Sequence, residues 1–183
     1  MKKRIITILA ITLFLYNCAN AEVSQQDAQR YSAYYSNGMQ YLKNQQFSSA
    51  IVEFKKVLRF SPYDLTIQEA LANAYYARAQ YYRSTTKEIK KALVDCKSAY
   101  FYAKYWNSQT TQNLISLANS CLKDINDFEK RLAVNSTPQA LFNNARALRA
   151  QGELAASGYD FQQLKNGQYS ASAYEYLGIF IKI

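Results

Sequence analysis

An all-α fold of antiparallel helical hairpins stacked as a solenoid follows from three features of this chain. Ala50, Ile51, Phe54, Val57 and Leu58 sit at helical steps of one, four, seven and eight, the stripe of a helix face packed on a neighbour. The trio Asn37, Gly38 and Tyr41 returns 34 residues later as Leu71, Ala72 and Tyr75, and a fixed period of that length marks an array in which each unit buries its apolar face on the next. The punctuation is helical too. Lys43, Asn44, Gln45 and Gln46 form a polar turn, and Pro62 cannot extend the helix before it. Ser136-Thr137-Pro138-Gln139 opens a later helix with a hydroxyl cap and an early proline.

The first unit, about 31–64, has a physical job for each marked residue. Gly38 lacks a side chain and lets another helix approach, while Tyr34 and Tyr41 share a face. Tyr34-x2-Asn37-Gly38-x2-Tyr41, then Ala50-x3-Phe54, then Pro62 resembles the tetratricopeptide repeat, whose signature is W-x2-L-G-x2-Y, A-x3-F and P. Only Asn37, where that family prefers Leu, departs in kind. The resemblance implies pairs of antiparallel helices whose first members line a concave groove, and a business of binding rather than chemistry.

The second unit, about 65–106, repeats the packing positions with Leu71, Ala72 and Tyr75, but its second helix comes late. Ala92-x3-Cys96-x2-Ala99 starts 17 residues after Tyr75 where the first unit needs 9, an insertion of eight. Thr85-x2-Glu88 reads as a capping box, which starts the second helix there and ends the first near Arg83. A third, degenerate unit, about 107–136, has Leu114, Leu117, Ala118, Cys121, Ile125, Phe128 and Leu132 at steps of three and four, as one long helix or two with a break near Asp124 to Asp127. The fourth, about 137–168, places Ala145 and Leu148 in its first helix, a turn at Gln151-Gly152-Glu153-Leu154, and Phe161 and Leu164 in its second. A partial unit, 169–183, carries Tyr174-x2-Leu177-Gly178-x2-Ile181, apolar almost all round. A terminal repeat needs a polar outer face, so this helix is expected to cover both sides, through self-association, a partner or further chain.

The N-terminus reads as a leader. Lys2, Lys3 and Arg4 precede an apolar run of 12 residues, Ile5 to Tyr16, and Ala19-Asn20-Ala21 is a small-residue cleavage site. The run is short of the ~20 residues of a membrane span. Removal of 1–21 leaves one domain, 22–183. Leu15-Tyr16-Asn17-Cys18 also resembles a bacterial lipobox with unusual Tyr and Asn; if it is used, Cys18 becomes a lipidated N-terminus. The expected location is therefore export to the periplasm or cell surface, lipid-anchored in the second case.

Lys and Arg number 22 against 13 acids, and the leader carries three of the basic residues, so the mature excess is modest and spread along helices. That suits solubility, or attraction to acidic partners and membrane surfaces, and argues against nucleic acid in an exported protein. Cys96 and Cys121 are either an exported disulfide or two separately buried thiols. No histidine is present, so Ser-His-Asp and Cys-His sites are excluded, and isolated glycines make no phosphate loop. The expectation is no enzyme, no metal and no cofactor.

What remains is surface. The positions that the family resemblance puts in the groove are Tyr35, Met39, Leu42 and Lys43 in the first unit and Glu69, Asn73, Tyr76 and Ala77 in the second. The residues it assigns to packing are Tyr34, Gly38, Tyr41, Ala50, Phe54, Pro62, Leu71, Ala72 and Tyr75. Tyrosine brings a large rigid surface with a polar tip, and the chain holds 17 of them, several doubled. Tyr35 and Met39 stand where carboxylate-clamp members carry Lys and Asn. The function expected is a non-catalytic scaffold for a protein or peptide. Two rivals stay open: a small-molecule-binding accessory of a solute transporter, with a closed apolar cavity under 75–90, and an envelope-assembly lipoprotein.

Overall fold

The computed structural model describes residues 25–86, 88–106 and 111–180, the side chains of 85, 86 and 178–180 excepted. The leader, Cys18 and the end of the chain lie outside the described residues. All regular structure among those described is helical: α1 Gln25–Lys43, α2 Phe47–Leu58, α3 Leu65–Tyr81, a π-helical turn Tyr82–Thr86, α4 Ile89–Lys104, α5 Gln112–Arg131, α6 Pro138–Ala150, α7 Leu154–Gln163 and α8 Ser170–Phe180.

Local chemistry sets the ends of these helices. Asp64 caps α3 by accepting from the backbone N–H of Thr66 and Ile67. Thr111 and Thr137 cap α5 and α6, the latter with Pro138 in the first turn. The turn between α1 and α2 passes through Gln45 at φ +59°, and Gly152 at φ +79° turns α6 into α7, a conformation that suits glycine. The Thr85-x2-Glu88 capping box does not form as a helix start. The chain instead winds a π turn past the end of α3, and α4 begins at Ile89 with Glu88 at the cap position, its side chain making no capping bond. The π turn holds Thr85 out of the extended conformation that a capping hydroxyl needs. The eight-residue insertion therefore lengthens the end of the first helix, not the start of the second. The third unit is one unbroken helix, α5.

Packing begins as a simple stack. α1 pairs with α2, α2 with α3, α3 with α4 and α4 with α5, while α3 also touches α1 and α5. Gly38 is the close contact of the first pair: a Cβ built on it would come within 2.4 Å of the Phe54 ring, and Phe54 is wholly buried. Ala50, Ile51 and Val57 complete that face.

The stack then changes direction. α7 packs on α4, while α6 and α8 both pack on α7, and Arg149 of α6 lies over the Tyr176 ring of α8 at 5.1 Å. The α6–α7 hairpin thus folds back onto the middle of the molecule instead of extending the array past α5. This makes α4 the central helix, enclosed by α3, α5 and α7, with ten of its sixteen residues buried, Asp95, Lys97 and Ser98 among them. Gly158 repeats the close contact of Gly38, since a Cβ there would meet the Phe101 ring of α4 at 2.4 Å. The chain is all-α with stacked helices, and its fourth hairpin departs from a linear succession of repeats.

Candidate functional site

On α1, Met39 and Lys43 are exposed and Leu42 half-buried, and with Gln40 they line a shallow open depression. Tyr35 is tied into the framework instead. Its ring lies 6.0 Å from that of Phe54 and 6.3 Å from that of Tyr31. Tyr34 stacks on Phe60. Tyr41, assigned to packing by the repeat pattern, is exposed in the last turn of α1. Ala50, Phe54, Leu71, Ala72 and Tyr75 are all buried, and the half-buried Pro62 offers its carbonyl to Trp106 Nε1–H at 2.5 Å.

On α3, Asn73 is exposed and Ala77 half-buried, but the other two groove positions hold α5. Glu69 accepts from Asn113 at 3.1 Å. Tyr76 donates to Asp124 Oδ2 at 3.2 Å, where Gln80 also donates at 2.6 Å, while Arg83 reaches Asp124 Oδ1 at 2.9 Å. Burial and the neighbouring Asp124 push the Tyr76 hydroxyl up to about 12. The structure therefore leaves Met39, Lys43 and Asn73 exposed and Leu42 and Ala77 half-buried, and makes Tyr35, Glu69 and Tyr76 parts of the frame.

A second surface, which the repeat pattern does not mark, lies on the side of the second helices. Because α7 folds back onto α4, it stands opposite α2 across a cleft that α4 floors. One part of this cleft is an apolar cavity of about 210 Å³ between Leu58 of α2, Tyr102 of α4, Trp106 just past the end of α4, and Leu154 of α7, with Lys55 and Arg59 also lining it. Further along, Arg78 makes a two-pronged bond to Asp95, both arms at 2.7 Å, and donates to Ser48 at 2.9 Å. Burial opposes the Arg78 charge, yet Asp95 holds its pKa above the ordinary value. Around Arg78 and Tyr82 the surface is open and polar, with Lys90, Lys91 and Glu153 beside it.

The fold-back is held by ions. Lys97, 2% exposed, bonds Asp160 at 2.8 Å and Glu129 at 2.9 Å. Asn144 donates to the other oxygen of Asp160, and Ser157 Oγ donates to the Ala145 carbonyl at 2.8 Å. One cation thereby joins α4, α5 and α7 through two carboxylates.

Cys96 on α4 and Cys121 on α5 are buried free thiols. Burial raises both, Cys121 to about 12, and each side chain lies within electrostatic reach of the same Asp124. Buried thiols held protonated in this way are poor nucleophiles and ligands. Among the described residues no group of three metal-ligating side chains comes together, and no helix is long and apolar enough to cross a membrane. At the C-terminus Ala173 and Leu177 of α8 are buried, Tyr176 stacks on Phe161 at 4.7 Å, and Tyr174 is 57% exposed.

Sequence patterns missed the cleft because its walls lie far apart in the chain: Lys55 and Arg59 in the first unit, Trp106 at the end of the second, Leu154 in the fourth. The one available signal was composition, since Trp106 is the only tryptophan. No family model, curated protein or solved structure matches the chain.

Proposed function

We propose that this protein is an exported, non-catalytic scaffold that holds an extended or helical segment of a protein or peptide partner along the outer faces of α1 and α3. The observation that carries this reading is Met39, 43% exposed, beside Lys43 and the half-buried Leu42 on a helix anchored by the contact of Gly38 with the Phe54 ring of α2. An adaptable thioether with a cation one turn away is suited to receiving an apolar side chain and an acidic neighbour. Asn73 on α3 supplies a hydrogen-bonding pair for the backbone of the same segment. The frame beneath is rigid where Asp124 gathers Tyr76, Gln80 and Arg83, so little ordering accompanies binding. The repeat resemblance, the basic mature chain and the absence of histidine all favour binding over catalysis. The leader favours the periplasm or cell surface, with a membrane tether if Cys18 is acylated, which the intact mass of the mature protein reports directly.

The test uses Met39→Glu and Asn73→Ala, because Tyr35 and Tyr76 carry framework contacts. Peptides selected from a displayed library on the wild-type protein should lose about tenfold or more in affinity on the Met39→Glu protein, the usual scale for a central contact, with helicity unchanged. A library that yields no binder, or binders indifferent to both substitutions, would remove the α1–α3 face as the site.

A further inference from the structure

We propose that the cavity between α2, α4 and α7 is a binding site for a small amphipathic carboxylate, with the apolar body between Leu58, Tyr102, Trp106 and Leu154 and the anionic head at Lys55 and Arg59. This is a second site that shares no lining residue with the depression beside Met39, and it does not depend on the peptide reading.

Four observations carry it. The first is size: a cavity of about 210 Å³ exceeds the roughly 150 Å³ that accepts benzene in an apolar protein interior, so a ring with a short tail or a chain of about eight carbons fits.

The second is a pre-formed wall. Trp106 is fixed by its bond to the Pro62 carbonyl and by ring contacts with Tyr102 at 5.4 Å and Phe101 at 6.0 Å. Tyr102, 5% exposed, stacks in turn on Tyr75 at 5.9 Å. These rings cannot collapse into the space without breaking several contacts.

The third is charge. Lys55 on α2 and Arg59 at its C-terminal cap are four residues apart, and both line the cavity. Among the described residues neither makes an ion pair with a carboxylate, whereas Lys56, Arg78, Lys91 and Lys97 each have one. Lys55 instead lies 5.6 Å over the Tyr75 ring.

The fourth is the electrostatic state of Lys55. Burial holds its pKa below the ordinary value against the pull of Glu153, with Arg78 lowering it further and Asp95 raising it. An anion at the edge would favour the charged form. A guanidinium beside an ammonium suits a planar carboxylate, which the guanidinium grips with two parallel bonds.

The cavity also carries its own reporter, since Trp106 is the only tryptophan of the chain. Octanoate titrated into the full-length protein should give a saturable change in tryptophan emission, and octylammonium, of the same length and opposite charge, should bind about tenfold or more weakly. Lys55→Gln and Arg59→Gln should each weaken octanoate several-fold while leaving the weak binding of neutral octanol unchanged, and calorimetry with the same ligands checks the optical result. Equal affinity for octanoate and octylammonium would overturn the proposal, as would octanoate binding indifferent to both substitutions, or an emission that octanoate does not alter with no heat of binding. Octyl phosphate binding more tightly than octanoate would overturn the carboxylate assignment. Should Lys55→Gln fail to fold, Arg59→Gln and the ligand series still decide.

Discussion

Gly38 lies against the Phe54 ring where α1 meets α2, and Gly158 lies against the Phe101 ring where α7 meets α4, each so close that a Cβ would come within 2.4 Å. Around that shared contact the two regions are built differently. The first hairpin is closed by Ala50, Ile51, Phe54 and Val57, which attract without direction. The fold-back hairpin buries Ser157 and Asp160 beside its alanines and aromatics, and meets a buried Lys97 on α4. Apolar contact alone would be satisfied by several placements of α6 and α7, including a stack on α5. Lys97 and Asp160 accept one placement, because each is costly to bury unpaired. The contrast suggests that apolar stripes build the hairpins of this chain and that buried ions choose where the last of them docks.

The largest expected effect tests that choice. Asp160→Ala leaves Lys97 buried with Glu129 as its one carboxylate, and breaking a buried pair in this way costs about 3–5 kcal/mol. Urea denaturation should show the loss, and amide exchange should place it in α6 and α7 while α1 and α2 keep their protection. Replacing both partners, Lys97→Met with Asp160→Leu, should recover most of the stability. If the single variant loses less than about 1 kcal/mol, or loses protection evenly along the chain, the ions do not set the docking.

The next pair of variants tests the part the two regions share. Gly38→Ala and Gly158→Ala each push a methyl group into a ring that has no room to move, Phe54 at 0% and Phe101 at 2% exposure. Overpacking of this kind costs about 1–3 kcal/mol. Adding Phe54→Leu to Gly38→Ala, or Phe101→Leu to Gly158→Ala, should be less damaging than the sum of the single changes, and a double-mutant cycle measures the coupling. Additive losses in either cycle would mean that the glycine serves the backbone and not the contact.

The same contrast explains how far the amino-acid sequence could be read. The α2 stripe, the Gly38 contact, the turn at Gly152 and the Thr137-Pro138 start of α6 are local features, complete within a few residues or one repeat. The all-α class follows from them. The direction of the fourth hairpin does not, because it rests on Lys97 and Asp160, 63 residues apart, and no periodicity marks such a pair. Thr85-x2-Glu88 misled for a related reason: the motif describes a free helix start, and Thr85 belongs to the π turn that continues α3. Of the groove positions Met39, Lys43 and Asn73 are exposed; the contacts of Glu69 and Tyr76 were not legible, since their partners Asn113 and Asp124 stand 44 and 48 residues further on. The cleft beside Trp106 exists only once α7 has folded back, so nothing short of the fold reveals it.

The smallest effect concerns the polar tie of the first hairpin. Tyr31 on α1 donates to Asp64 Oδ2 at 2.6 Å, and Asp64 caps α3 with its other oxygen. If apolar packing holds this hairpin, Tyr31→Phe should cost only about 0.5–1.5 kcal/mol, the net worth of one hydrogen bond, far below the loss from Asp160→Ala. Its pH dependence gives a sharper reading. Partial burial, followed by the bond to Asp64 and the charge of that carboxylate, raises the Tyr31 pKa above the ordinary tyrosine value. A raised pKa in the folded state means that the unfolded chain loses this proton first as pH rises, so the contribution is complete below about pH 10 and fades as pH climbs through the folded value. Tyr31→Phe should therefore lie below the wild type by a constant amount at neutral pH and approach it in the alkaline limb of a stability curve. A gap that stays constant above pH ~10 would show that Tyr31 acts through packing alone, and a loss as large as that of Asp160→Ala would erase the distinction between the two hairpins.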